Sequence, residues 1–402
     1  MYRFRIKCGM TKNKMLIGID GFEVSISQRV GVGRLAVEII KNLEKVDREN
    51  EYRIYLPQPP QPDLPDERKH WQYKVLPFHR LWSQLSLPLF LFLDQAKPDV
   101  FLSPTHYAPR FSPSPRVVFI LDLSFLYFPE MFKKTDLYKL KNWTKYSVIK
   151  AKRVIAISRS TRDDIIRYYQ IEPEKVVVSY PGVHLAMDKK MVTLRTLNNM
   201  ESTEKIKKKY GIEGDYILYV GTLQPRKNLV RLIEAFKKLK AQNSKRKTTI
   251  KNLKLVIAGK KGWMYEEIFE KVKELKLENQ VIFTGYVSDR DLPALYQGSQ
   301  CLVLVSLYEG FGLPVLEAMS LGVPVVASNV SSLPEIVGEA GVLVDQESVE
   351  DIAQGIKKVL SFSLGERKKI IEKGLEQAKK FSWEKCAKET LKVLMEVANK
   401  NV

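Results

Sequence analysis

Residues 308–319 read YEGFGLPVLEAM. Two carboxylates, Glu309 and Glu317, stand with seven residues between them and bracket the run Gly310, Phe311, Gly312. Glycines let a backbone approach a ligand closely. The free N–H groups of a helix start, with about half a positive charge from the macrodipole, favour a phosphate. Pro314 suits the first helical turn, where its missing N–H costs nothing. A carboxylate, in contrast, only accepts hydrogen bonds and would repel a phosphate it touched. Two of them beside an anion site make sense when the anion carries hydroxyls on both sides. A nucleotide diphosphate sugar does so, with ribose at one end and the sugar to be transferred at the other. Glu309 would reach one set of hydroxyls and Glu317 the other, through charge-assisted bonds worth about 1.5–3 kcal/mol each. The plain alternative is a loop residue and a solvated helix position.

A diphosphate also needs cations. The apolar run YILYVG is followed by TLQPRKN, which places Arg226 and Lys227 in a strand-to-helix loop. Arginine can grip phosphate with two parallel bonds, and lysine acts as a point charge. Asn228 stands where the helix N-cap is expected. Asp289 and Asp291 form an Asp-x-Asp pair, but at a helix start, where acids commonly cap. Two oxygens make a poor Mg²⁺ site, so no metal and no other cofactor is expected beyond the nucleotide sugar itself. In the first half, GVGRLA sets Gly31 and Gly33 in a weak dinucleotide pattern. The acid expected at the end of the second strand is missing from YRIYLPQPP, which argues against a nicotinamide cofactor. Gly31 and Gly33 are instead read as bringing backbone N–H groups near the diphosphate or the reacting sugar. His106, in SPTHYAP, is either sugar-facing or an ordinary loop residue.

The elements that position these loops alternate along the chain. Apolar runs at 15–20, 52–56, 100–102, 116–121, 153–158 and 175–180 read as strands. GVGRLAVEIIKNL, WSQLSLPLFLFL, DLYKLKNWTKYSVIKA and RSTRDDIIRYY between them suit helices. The alternation stops over 186–210 and resumes at DYILYVG, continuing through VPVVAS and AGVLVD. Strand, helix, strand in sequence implies a mostly parallel sheet covered on both faces. The fold class is therefore α/β, with two doubly wound, Rossmann-like domains facing across a cleft. The boundaries read as a basic tail over 1–13, an N-terminal domain over 14–185, a linker over 186–210 and a C-terminal domain over 211–380. A last helix spans 381–402. The tail is read as a mis-assigned start or a disordered end, since Met10 and Met15 follow closely.

At 402 residues two domains are the natural expectation. Three cysteines without metal-ligand spacing point to a reducing compartment. No secretory signal pattern and no apolar run of about 18 residues is present. A formal charge of +20 attracts an anionic membrane, a phosphorylated ligand or nucleic acid, or simply keeps the protein in solution. Lysines concentrate at 205–209 and 245–251 without interleaved aromatics, so nucleic acid is not expected. The stretch RLWSQLSLPLFLFL reads as a core helix or as an amphipathic face for a lipid-linked acceptor.

These segments together resemble the retaining glycosyltransferases of family 4, also called glycosyl transferases group 1, which have the GT-B fold. The resemblance rests on YVGTLQPRKNL, LVIAGKKGW, VIFTGYVSDRDLPALY, YEGFGLPVLEAMSLGVPVVAS and SSLPEIVGEAGVLV over about 215–345. It is weaker in IGID, GVGRLAVEI, DLSFLYFPEMF and RVIAISRSTRDDI, and FSWEKCAKETLKVL is similar to the family's last helix, which crosses back to the first domain. It implies metal-independent transfer with retention at the anomeric carbon. Arg226 and Lys227 would hold the diphosphate, Glu309 the donor sugar and Glu317 the ribose, with Gly310, Phe311 and Gly312 lying against the phosphates or sugar. Two departures stand out. Leu121 precedes Asp122 where many members have His-Asp, with the histidine facing the sugar. Thr222 replaces a frequent arginine, as in members that resemble mannosyl- and other hexosyltransferases of surface polysaccharide synthesis. The resemblance makes GDP-mannose the first donor expected and a UDP-hexose the second, with a glycan or lipid-linked acceptor. It also implies a cytoplasmic protein, in peripheral contact with the inner face of the plasma membrane if the acceptor is lipid-linked. Leu121 motivates the alternative of a non-catalytic nucleotide-sugar-binding protein that partners another transferase.

Overall fold

The structure, a computed structural model, describes residues 14–27, 29, 31–183, 198–242 and 252–399. The expected tail 1–13, the first part of the expected linker and the lysine run at 245–251 lie outside the described residues.

Among the described residues thirteen strands form two sheets. The first orders β3 (Trp71–Val75), β2 (Glu51–Leu56), β1 (Leu16–Asp20), β4 (Val100–Ser103), β5 (Arg116–Ile120), β6 (Arg153–Ala156) and β7 (Val176–Val178). The second orders β10 (Val281–Gly285), β9 (Lys254–Ala258), β8 (Tyr216–Val220), β11 (Leu302–Leu304), β12 (Val325–Ser328) and β13 (Val342–Val344). The strand pairs are parallel, as in β1 against β2 and β11 against β12. Both sheets are thus doubly wound, as the alternation of elements implies. The central strands are mostly apolar, and Leu302, Val303 and Leu304 have no exposure, because a parallel sheet is covered on both faces.

Three elements differ from the sequence reading. The edge strand β3, WQYKV, was not foreseen, because only Trp71 of it is fully buried and it carries no apolar run. Residues Asn198–Lys209, assigned to the linker, form a helix. Ile206 is buried and Lys207 pairs with Glu204 at 3.0 Å, helical structure that the polar, lysine-rich composition does not announce. A short helix, Leu333–Val337, follows β12, again unforeseen because Ser331-Ser332-Leu333-Pro334 reads as a turn.

Contacts divide the chain into two compact units. One holds residues 1–119, 143–155 and 387–402, the other 120–142 and 156–386. In the first unit the expected helix over WSQLSLPLFLFL is a π turn, Trp82–Ser86, running into an α-helix, Leu87–Leu93. Its inner face, Trp82, Leu87 and Leu91, packs with Tyr55, Leu76 and Phe101. Its outer face is apolar as well. Leu85, Leu89 and Phe92 are about half exposed, and Leu81 and Leu93 are 61% and 65% exposed. The stretch is therefore both a core helix and an uncovered apolar stripe. Among the described residues no helix is long and apolar enough to cross a membrane.

Trp82 also reaches Asp20 at the end of β1. One oxygen, Asp20 Oδ1, accepts from Trp82 Nε1 at 2.8 Å and from the Phe22 N–H at 3.0 Å. Burial outweighs these bonds and pushes the carboxyl up from the ordinary 3.8 to about 7. A group whose folded value is raised binds its proton more tightly when folded. Its ionisation therefore removes stability as pH rises from the ordinary value through about 7. The loss is on the order of 4 kcal/mol above that window, at 1.36 kcal/mol per unit. An amide can keep both bonds on one oxygen. Asp20→Asn is expected to melt above the parent at pH 8 and level with it near pH 4, as followed by calorimetry. A lower melting temperature at pH 8 would mean that the ionised carboxylate is what the fold needs.

Candidate functional site

In the second unit the strand order reverses between β8 and β11, and ligands of open α/β sheets bind beyond the carboxyl ends of strands at such a point. The loops after these two neighbours meet there. The Leu307 N–H donates to the Arg226 carbonyl at 2.9 Å. Asn228 fastens the first loop. Its side-chain amide donates to the Val305 carbonyl at 2.9 Å and the Gln346 carbonyl at 2.7 Å. Its backbone is left-handed at φ 58°, a conformation asparagine tolerates better than most residues. The expected N-cap is thus also a cross-link: its amide ties the loop to the end of β11, while its Oδ1 accepts from the Arg231 guanidinium of the following helix at 3.0 Å.

This brings Lys227 to Glu309. Lys227 Nζ donates to Glu309 Oε1 at 2.5 Å, and Ser306 Oγ donates to the same oxygen at 2.6 Å. Arg226 Nη1 stands 3.6 Å from Glu309 Oε2. The side chains of Lys227 and Glu309 are only 14% and 10% exposed. Burial works to raise the Glu309 carboxyl, but the Lys227 and Arg226 charges and the two hydrogen bonds win and hold it below the ordinary glutamate value. Arg226 is partly committed elsewhere, since its Nη1 donates to the Tyr308 carbonyl. Its Nε is buried with no hydrogen-bond partner among the described residues.

The segment carrying Glu309 is held along its backbone. Ser331 Oγ accepts from the Glu309 N–H at 2.9 Å. Ser332 Oγ shares its one proton between the Glu309 carbonyl at 2.9 Å and the Phe311 carbonyl at 2.8 Å. Gly312, at φ 103°, turns the chain into the helix Leu313–Ser320. Gly310 is closely packed. A Cβ there would lie 2.0 Å from the Leu121 carbonyl oxygen, so the glycine admits a neighbouring backbone. The Phe311 ring likewise faces the interior, against Tyr180 and Phe381 at 6.3 and 5.7 Å.

The remaining candidates spread out. Asp122 lies within electrostatic range of Lys227 and accepts from the Ser124 N–H at 3.0 Å and hydroxyl at 2.8 Å. Leu121 beside it is buried. Glu317 accepts from the Tyr296 phenol at 2.7 Å and is partly exposed. Thr222 follows β8, its carbonyl 3.4 Å from the Tyr219 phenol. Asp291 pairs with Lys209 at 2.6 Å and accepts from Tyr210, in place of capping its helix. Gly31, Gly33 and His106 belong to the first unit, the glycines at the start of the helix Gly31–Val46 and the histidine after β4. The sequence reading missed Ser306, Ser331 and Ser332. Ser306 had a signal, since Ser-x-x-Glu is a spacing at which a hydroxyl reaches a carboxylate.

Residues 202–377 match the family described as glycosyl transferases group 1, and residues 30–187 match glycosyltransferase family 4. The chain is 31% identical to O-antigen chain mannosyltransferase B of Escherichia coli over 375 residues, 90% of this chain and 94% of that one. It is 31% identical to serotype-specific mannosyltransferase WbdA of Escherichia coli over 239 residues, 59% of this chain and 28% of that one. Among solved structures it is similar to Anabaena Alr3699/HepE in complex with UDP-glucose. That match has a TM-score of 0.71 at 20% identity and covers 95% of this chain and 100% of the other. WaaG, a glycosyltransferase involved in lipopolysaccharide biosynthesis, matches at a TM-score of 0.68 and 18% identity over 94% and 99%. Both likenesses concern the GT-B fold. Carrying the family's sequence along nearly all its length on that fold, the chain belongs to the glycosyl transferases of group 1 and family 4, and it is a glycosyltransferase.

Proposed function

We propose that the protein transfers a hexose, mannose first, from a nucleotide diphosphate sugar to a growing glycan of a surface polysaccharide, with retention at the anomeric carbon and without a metal. The observation that carries this is the buried Lys227–Glu309 pair beside Arg226 at the switch point of the second sheet. An ammonium has three N–H donors, and Glu309 takes one, so two can turn to a diphosphate. Glu309 then serves as the counter-ion that keeps the cations charged before the donor arrives. Afterwards it is an acceptor for hydroxyls of the sugar. As the anomeric C–O bond breaks, its electron pair passes to the diphosphate oxygen, the acceptor hydroxyl oxygen bonds the anomeric carbon on the same face, and the hydroxyl proton passes to the leaving diphosphate. Lys227 and Arg226 stabilise the charge that develops there. The mannosyltransferase relatives favour GDP-mannose as the donor.

The outer stripe of the Trp82–Leu93 helix supports an acceptor presented at an anionic membrane. Arg80 is its exposed neighbour in sequence. Arg110 and Phe111, both exposed, sit against the helix through the Arg110 N–H on the Ser83 carbonyl at 2.7 Å. Apolar side chains with a basic rim suit the headgroup region of such a bilayer.

Three measurements test this reading. Binding of GDP-mannose, UDP-glucose and the bare diphosphates is read as thermal stabilisation, about 2.7 kcal/mol at 100 times the dissociation constant. Lys227→Ala is expected to weaken GDP and GDP-mannose alike, whereas Glu309→Ala weakens GDP-mannose more than GDP and abolishes transfer. Parent-like GDP-mannose binding by Lys227→Ala would show the phosphate assignment to be wrong. Transfer is expected to persist in excess chelator, and a strict need for Mg²⁺ would end the metal-independent reading. In sedimentation with vesicles, the parent is expected to follow phosphatidylglycerol but not phosphatidylcholine. Leu85→Glu with Leu89→Glu is expected to stay in solution. Equal sedimentation of parent and variant would remove the membrane role of this face.

A further inference from the structure

Tyr308, the residue before Glu309, is held at both ends. Its carbonyl accepts from Arg226 Nη1, and its phenol donates to Asp164 Oδ2 at 2.5 Å. The other oxygen of Asp164 accepts from the Tyr127 phenol. The two rings lie 5.2 Å apart. Asp164 and Tyr308 are buried, and all three residues belong to the second unit. A carboxylate out of water must have its oxygens satisfied. Here each oxygen has one phenol, so the position is built and is not a solvated helix face.

Asp164 sits on the helix Arg159–Tyr169, which Ser158 caps by accepting from the Thr161 N–H at 3.0 Å. The same helix holds the Glu309 segment at a second point. Thr161 Oγ1 donates to the Gly310 carbonyl at 3.3 Å. Tyr308 and Gly310, the two residues flanking Glu309, are therefore both tied to one helix. Its first turn is tied as well. The Arg159 and Ser160 N–H groups both donate to Glu335, each at 3.2 Å. Glu335 lies just past Ser331 and Ser332, which bond the backbone of Glu309 itself.

We propose that Asp164 is a positioning residue for sugar transfer: through the Tyr308 phenol it fixes the backbone that aims the Glu309 carboxylate at Lys227. The inference rests on the reading of Glu309 and Lys227 given above. Asp164 acts through Tyr308 and is not itself placed against the donor. The two phenols on its carboxylate are unequal in this role. Only Tyr308 is continuous with Glu309, so its bond transmits position. The bond from Tyr127 contributes to holding Asp164 alone.

That inequality supplies the test. Tyr308→Phe and Tyr127→Phe each remove one hydroxyl from the same carboxylate and keep the ring. The first readout is hydrogen exchange of the peptide 306–317 in the unliganded protein, which needs no substrate. The second is release of GDP from GDP-mannose with water taking the mannosyl group, with Glu309→Gln as the reference. Tyr308→Phe is expected to exchange about tenfold faster in that peptide, as a locally loosened segment does. It is expected to lose about tenfold in kcat, with KM for GDP-mannose within about twofold, as misplacement of a group in the reaction does. Tyr127→Phe is expected to stay within about twofold in all three, by the same reasoning. Equal losses in the two variants would reduce Asp164 to general stability and overturn the proposal. Parent-like exchange in Tyr308→Phe would overturn it too. If Glu309→Gln releases GDP like the parent, or the parent releases none, the reading of the site fails instead. The exchange comparison then still decides whether Asp164 holds the segment.

Discussion

Lys227 and Glu309 share a hydrogen bond of 2.5 Å with little access to water, and each is the condition for the other staying charged. An unpaired ion so placed would lose several kcal/mol of solvation, and Coulomb attraction offsets this only when the geometry is good and further hydrogen bonds complete it. Ser306 supplies one, and Arg226 adds a second positive charge nearby. Glu309 thus balances the two cations beside it.

Such a pair tolerates little movement, which accounts for how heavily its surroundings are bonded. Asn228 cross-links the cationic loop to the end of β11 and to Gln346. Ser331 and Ser332 bind the backbone of Glu309, and Arg226 binds the carbonyl before it. Side chains therefore take the place of regular secondary structure between β11 and the helix Leu313–Ser320. Irregular backbone out of water needs such partners. The loops stay precise without being part of the sheet, and their charged groups are held in place by neighbouring side chains.

The first unit shows the opposite economy. Its helix from Trp82 to Leu93 satisfies the core with one face and leaves apolar side chains uncovered on the other. Trp82 bonds Asp20, whose carboxyl burial drives toward the neutral form. The end of β1 is thus fastened to the helix that bears the stripe, so the strand end and the apolar face are parts of one rigid piece of that unit.

Much of this was legible in the order of residues. Alternating apolar runs and helical spacings give two parallel sheets, because a strand buried on both faces must be apolar throughout. The loops around Arg226, Lys227 and Glu309 announced themselves through Gly, Pro and charge at strand ends, a short-range signal. Weakly patterned elements were lost, namely β3 and the helix Asn198–Lys209, since mostly polar sequences leave no apolar periodic trace. What the tertiary structure alone decided is who touches whom. Gly310 meets the backbone of Leu121, Asn228 reaches Gln346, and Tyr308 finds Asp164 at a separation of 144 residues. Local sequence sets the shape and charge of each loop through neighbours a few residues away. The partner of a buried polar group is set by which strands lie side by side, and that order follows from the packing of the whole sheet.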